Sequence, residues 1–113
     1  MVWQKALDLT VLIYGLTKKL PTSERYGLIS QLERASVSVA SNIAEGSRRS
    51  SKKDFAHFLE MALGSSSELE TQLEVAVRVG LISQGAISLV QDMANEVSKM
   101  LYGLIDTFRT SQD

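Results

Sequence analysis

The sequence predicts an all-α protein, an antiparallel up-down-up-down four-helix bundle in which residues 1–113 form a single domain. Apolar residues recur at steps of three and four along nearly the whole chain, which is the spacing of one helix face. One proline and seven glycines are too few breakers for a chain of short strands. Hydrophobic residues make up 44% and charged residues 22% of the chain, as in an ordinary globular domain.

The first helix is predicted from Val2 to Leu20, and Pro21 ends it because the residue before a proline avoids the helical region. It carries two apolar faces. The first comprises Val2, Ala6, Leu9, Ile13, Leu16 and Leu20. Beside it runs a second face, the apolar line formed by Trp3, Leu7, Val11 and Tyr14. A helix with so wide an apolar surface must be covered on more than one side. We therefore predict that the apolar line packs within the fold or against another copy of the chain.

The second helix is predicted to begin at Thr22 or Ser23 as its N-cap and to continue to Gly46. Its middle is rich in alanine and serine, and such small side chains allow a neighbouring helix to approach closely. A second run of small residues, at positions 64–67 in the third helix, is expected to be its partner.

Capping signals define the remaining helices. Ser51, with Asp54 three residues later, opens the third helix, and Gly80 suits the position just after its end. Ser83 is the expected cap of the fourth helix. That helix has an unbroken heptad pattern, which consists of Ile87, Val90, Ala94, Val97, Leu101, Leu104 and Phe108.

The composition excludes most enzyme mechanisms, and we predict no catalytic residue, cofactor or metal. The chain has no cysteine and one histidine. Asp54 and His57 form a single acidic-x-x-His pair, whereas a di-iron bundle needs that pair twice. No apolar run approaches the roughly 20 residues of a membrane span, and the first residues lack a signal-peptide layout. We expect a cytoplasmic protein with no membrane partner.

Charge is distributed unevenly along a chain whose net charge is −1. Residues 1–53 carry a net charge of +5 and residues 54–113 one of −6. The turn between helices two and three concentrates four cations, which we call the basic turn: Arg48, Arg49, Lys52 and Lys53. Next to a helix N-terminus these residues predict a phosphate-contact site, and the alternative interpretation is a solvated polar turn.

The topology is expected to bring Lys5 and Arg109 to the same end of the bundle. Together with the basic turn they give six cations, against five acidic residues at that end: Asp8, Glu45, Asp54, Asp106 and Asp113. No aromatic residue is interleaved with the cations, so base stacking is not expected there.

Five sequence blocks resemble a bacterial four-helix bundle family. They are Trp3-Gln4-Lys5-Ala6, Gly27-Leu28-x-x-Gln31-Leu32, Arg34-Ala35-Ser36-Val37-Ser38, Ser41-Asn42-Ile43-Ala44-Glu45-Gly46 and Gly64-Ser65-x-x-Glu68-Leu69-Glu70. The family contains proteins encoded in intervening sequences of 23S ribosomal RNA genes, and the accessory variability determinant of diversity-generating retroelements.

The resemblance implies a homopentameric ring of bundles with no enzymatic activity. For the retroelement branch it also implies binding to a reverse transcriptase and to nucleic acid. A ring requires a heterologous contact, in which two different faces of each subunit meet. The family usually has two arginines where this chain has Glu33-Arg34. For Asn42, Glu45 and Glu68, hydrogen bonding and capping are the expected roles.

Two functional hypotheses follow. The first is an oligomeric adaptor that contacts structured RNA, or a nucleic-acid-processing protein such as a reverse transcriptase, through the basic turn. The alternative is a protein-binding scaffold without nucleic-acid contact.

Overall fold

The computed structural model describes residues 1–110 and consists of four helices. Helix α1 spans Val2–Thr17, α2 spans Ser30–Ser47, α3 spans Lys52–Arg78 and α4 spans Gln84–Arg109. Each helix packs against the next, and α4 packs back against α1. Along α2 and α3, Gly46 lies near Phe55 and Ser38 near Ser65, so these helices run antiparallel. The predicted four-helix bundle is confirmed.

The core lies along the axis of the bundle and is built from the predicted apolar faces. The first apolar face of α1 is buried completely, including Leu20 beyond the helix end. In α4 the heptad residues are buried from Ile87 to Leu101, whereas Leu104 and Phe108 are half-buried. Within residues 1–110, no helix has a stretch with the length and hydrophobicity of a membrane span.

The junction between α1 and α2 differs from the prediction. Helix α1 ends at Thr17 rather than Leu20, because the chain tightens before Pro21 into i→i−3 hydrogen bonds, including one from Leu20 N–H to the Thr17 carbonyl. Neither Thr22 nor Ser23 caps α2. They lie in a 3₁₀ turn, Thr22–Glu24, which is followed by a wide turn, Arg25–Ile29. Within it Gly27 has φ −112° and ψ −109°, which interrupts the helical path before α2 begins at Ser30.

The other predicted helix ends are confirmed by their hydrogen bonds. Ser51 Oγ accepts from the Asp54 N–H at 3.1 Å, and Ser83 Oγ accepts from the Ala86 N–H at 3.2 Å. At the end of α3, Gly80 adopts φ +84°, a conformation that favours glycine. The N–H groups of Gly80 and Leu81 close a Schellman motif on the carbonyls of Val77 and Ala76, both at 3.0 Å.

The small residues of α3 contact two helices rather than one. Ser65 Oγ lies 2.8 Å from Ser38 Oγ of α2, as expected. Ser66 faces α4 instead, where its Oγ lies 2.7 Å from Ser98 Oγ. Ser98 in turn donates to the Glu70 carboxylate at 3.0 Å, so a buried hydroxyl chain joins α3 to α4.

Candidate nucleic-acid interface

The basic turn is positioned by close packing of the end of α2 against the start of α3. Gly46 is buried in the last turn of α2, directly beneath two phenylalanines of α3. A Cβ placed on Gly46 would lie 2.8 Å from Phe55 Cδ1 and 2.8 Å from Phe58 Cβ. Only glycine at this position therefore allows α2 and α3 to approach this closely without displacing the two phenylalanines. Since Ser51 caps α3 directly afterwards, the chain between the helices is short and its cations are held together.

The four predicted cations are all exposed, but they are not equivalent. Arg49 donates to Glu45 Oε2 at 2.6 Å, and its guanidinium carbon lies 4.5 Å from the centre of the Phe58 ring. Arg49 is thus held by its own subunit. Arg48, Lys52 and Lys53 form no ion pair with any residue in the range 1–110. These three cations form the free part of the basic turn.

Two further cations expected at this end are already paired. Lys5 Nζ lies 2.9 Å from Glu96 Oε1, and Arg109 pairs with Glu60. Glu60 and Glu96 were not among the acidic residues predicted at this end, because they lie within α3 and α4 rather than at a turn. Asp113, which was predicted there, lies outside the described residues. Lys5 and Arg109 therefore do not extend the free cationic surface.

The fold brings aromatic rings beneath the cations, contrary to what the sequence spacing indicated. Phe58 lies under Arg49, and the Phe108 ring centre is 6.0 Å from Lys52 Nζ. Phe55 and Phe108 are themselves in contact, with ring centres 5.0 Å apart. These half-buried rings support the cations from below. Phe108 comes from the far end of the chain, so no local sequence pattern could have placed it here.

The apolar line of α1 is partly exposed in the single chain. Trp3, Leu7, Val11 and Tyr14 are 44%, 39%, 70% and 41% exposed. Trp3 and Leu7 also line an apolar cleft between α1 and α2, with a volume of about 290 Å³, whose other wall includes the exposed Val37. The line is therefore only partly covered within its own chain, and its packing against another copy stays a prediction.

Comparison with known proteins identifies the family. The model of the family described as 23S rRNA-intervening sequence protein matches residues 1–103. The chain belongs to this family. It is similar to a crystal structure of a protein with unknown function from the S23 ribosomal protein family of Bacteroides thetaiotaomicron VPI-5482. The two are 29% identical with a TM-score of 0.85, over 93% of this chain and 98% of the other. No curated protein gives a match.

The structure gives local partners to two of the three motif residues that the resemblance singled out. In this 23S rRNA-intervening sequence family member, Asn42 Nδ2 donates to the Ser38 carbonyl at 2.9 Å and to Ser38 Oγ at 3.1 Å. Glu45 accepts from Arg49, as described above. These residues act within α2 and at its end. Glu68 forms no ion pair within residues 1–110 and instead lines a cleft.

That cleft, which we call the α2–α3 groove, was missed in the sequence. It has a volume of about 590 Å³ and is lined by polar side chains of both helices: Gln31, Arg34, Ser38, Ser65, Glu68 and Gln72. A signal was present, because these residues recur at steps of three and four on each helix. Apolar periodicity, on which the helix predictions depend, does not reveal a polar stripe of this kind.

No metal centre is apparent in the described part of the chain. His57 is exposed on α3, and within residues 1–110 no three His, Cys, Asp or Glu side chains converge in a geometry that could hold an ion.

Proposed function

We propose that the protein is a bacterial, cytoplasmic, non-enzymatic adaptor that self-associates and contacts structured RNA through the basic turn. The observation that carries the proposal is the free part of the turn, formed by Arg48, Lys52 and Lys53 beside the N-terminus of α3. Exposed cations next to free backbone N–H groups suit phosphate oxygens. The family is named after intervening sequences of 23S rRNA genes, which is a gene location, so the RNA contact is argued from the basic turn.

Self-association compensates for the small number of cations in one chain. Three free cations give weak binding, but several copies on one assembly raise the overall affinity through effective concentration. The exposed apolar line favours such assembly, because a soluble monomer rarely leaves a continuous apolar patch uncovered. A homopentameric ring, as the resemblance implies, would present five basic turns.

A salt titration tests the RNA contact. Binding of a labelled RNA hairpin is measured across a salt series for the wild type and for a double variant, Arg48→Ala with Lys53→Ala. Each lost phosphate contact lowers the slope of log affinity against log salt by about 0.7–0.9, so the double variant should have a clearly shallower slope. The matched control removes the same charge from the opposite end, with Lys18→Ala and Lys19→Ala, and should leave the slope unchanged. If the wild type does not bind the hairpin at low salt, the RNA role is wrong.

Light scattering tests the assembly. We expect a particle of about five times the 12.4 kDa chain mass. Val11→Glu places a charge at the most exposed position of the apolar line and should give monomers. Tyr102→Glu alters an exposed aromatic residue on α4 rather than on α1 and should leave the particle intact. A wild-type protein that is a monodisperse monomer at micromolar concentration would contradict the proposal.

The protein-binding scaffold is the second candidate, and the same apolar line favours it. Its distinguishing result is an assembly that persists while RNA binding is absent at every salt concentration.

A further inference from the structure

We propose that the α2–α3 groove binds a small zwitterion that carries both an ammonium and a carboxylate group, such as a free amino acid or a short peptide. The groove is separate from the basic turn: Arg34 in α2 and Arg48 directly after its end are fourteen residues apart, or about 21 Å along the helix axis. Its volume of about 590 Å³ lies within the range of small-molecule sites.

The walls of the groove carry opposite charges that are not used within the chain. Arg34 stands on the α2 side and Glu68 on the α3 side, and both are exposed. Neither forms an ion pair with another residue in the range 1–110. Glu33, which is next to Arg34 in the sequence, accepts instead from Thr17 Oγ1 at 2.7 Å. One free cation and one free anion across a groove complement a ligand whose own charges have the opposite arrangement.

Gln72, one helical turn beyond Glu68 on α3, favours a ligand with N–H donors. The side-chain oxygen of Gln72, Oε1, is buried and accepts no hydrogen bond within the described residues. Such an unpaired buried acceptor is uncommon in native proteins and calls for an explanation. Gln72 itself lines the groove and is only half-buried. Because the terminal torsion of Gln72 is soft, we infer that Oε1 turns to accept a hydrogen bond from the N–H group of a bound ligand.

Two hydroxyl groups of the groove already have partners within the chain. Ser38 and Ser65 hold each other through their hydroxyls at 2.8 Å, and Asn42 fixes Ser38 from the next turn of α2. A preorganised wall of this kind reduces the ordering cost of binding.

The charge pattern also argues against an RNA strand in the groove. The Glu68 carboxylate would repel a phosphate backbone, and a single arginine does not offset that repulsion along several phosphates. A zwitterion can pair with Arg34 through its carboxylate and with Glu68 through its ammonium group at the same time.

A binding screen tests the proposal on the intact protein. Each of the common free L-amino acids is added at millimolar concentration, and the melting temperature of the protein is measured. The amino acids that raise it are then tested for binding by calorimetry or protein NMR. For an amino acid that binds, the matching amino acid amide lacks the carboxylate and the N-acetyl derivative lacks the ammonium group. Each derivative should bind about ten- to a hundredfold more weakly, which is the effect of losing one charge-assisted hydrogen bond.

Variants assign the effect to the groove. Arg34→Gln should weaken binding of the amino acid by a similar factor but leave binding of its amide unchanged, because the amide has no carboxylate to pair with Arg34. Glu68→Gln should also weaken binding of the amino acid but leave binding of the N-acetyl derivative unchanged, because that derivative has no ammonium group to pair with Glu68. Arg78→Gln, at an exposed arginine of α3 outside the groove, is the control. Gln72→Met should weaken binding while leaving the unliganded protein at least as stable as the wild type, because it removes the unpaired acceptor. If no amino acid binds, or if Arg34→Gln and Glu68→Gln bind like the wild type, the proposal is wrong. Neither result bears on the RNA role of the basic turn.

Discussion

Replacing Gly46 by alanine should destabilise the bundle, although glycine to alanine in a helix is ordinarily favourable. The added methyl would lie 2.8 Å from Phe55 Cδ1, 3.2 Å from Phe55 Cε1 and 2.8 Å from Phe58 Cβ. Carbon atoms prefer separations of about 3.5–4.0 Å, so the contacts must open by about 1 Å. Phe58 Cβ is attached directly to the α3 backbone, and the Phe55 ring is in contact with Phe108. The strain therefore cannot be relieved by a simple rotamer change.

The magnitude follows from two opposing effects. Overpacking of this kind costs about 1–3 kcal/mol, while alanine in place of glycine within a helix gains about 0.5–1 kcal/mol. We expect a net loss of about 1–2 kcal/mol in the free energy of unfolding. For a domain of about this size, that lowers the melting temperature by roughly 4–8 °C per kcal/mol.

Equilibrium unfolding in urea, followed by circular dichroism, measures the effect. Several protein concentrations are compared, because association changes apparent stability. Gly103→Ala is the matched control: it lies in α4, is exposed and has no atom within 4 Å of an added Cβ. It should be neutral or stabilising by up to about 1 kcal/mol. If Gly46→Ala is as stable as Gly103→Ala, the close approach of α2 and α3 does not depend on glycine and the reasoning is refuted.

Three further predictions concern stability, each measured by the same unfolding assay. Gly80→Ala should lower the free energy of unfolding by about 1–2 kcal/mol, because an L-residue is strained at φ +84°. An unchanged urea midpoint of unfolding would contradict the Schellman assignment. Ser98→Ala should lower the free energy of unfolding by about 1–3 kcal/mol because it removes the hydrogen bonds to Ser66 and Glu70, and Ser66→Ala should cost a similar amount because it removes those to Ser98 and the Ala94 carbonyl; a loss below about 0.5 kcal/mol for either would show that the hydroxyl chain does not stabilise the fold. Leu69→Ala should cost about 2–5 kcal/mol because Leu69 is fully buried, and a loss below 1 kcal/mol would place it outside the core.

Much of the fold could be predicted because it depends on near neighbours in the chain. The apolar steps of α1 and α4, and the serine caps of α3 and α4, involve residues no more than four positions apart. The caps and the apolar steps are confirmed, except that the heptad of α4 is fully buried only as far as Leu101. The wide turn at Gly27 was missed. Its backbone angles depend on how the chain must cross from α1 to α2, which is a tertiary requirement rather than a local preference.

The candidate site was predicted in position but not in composition. The sequence located the four cations of the basic turn, yet it could not separate Arg49, held by Glu45 and Phe58, from Arg48 and Lys53. An i,i+4 pair such as Glu45–Arg49 is compatible with the sequence, but only the packed helices show that the pair forms.

What the sequence by itself determined is the set of helices, their buried faces and most of their ends, because these follow from local periodicity and local hydrogen bonding. The tertiary structure alone decided which charges remain free and which surfaces are open. Lys5 and Glu96, for example, are 91 positions apart and meet only because α4 returns beside α1. The α2–α3 groove has the same origin: two polar stripes that are separate in the chain become one surface when the helices pack side by side.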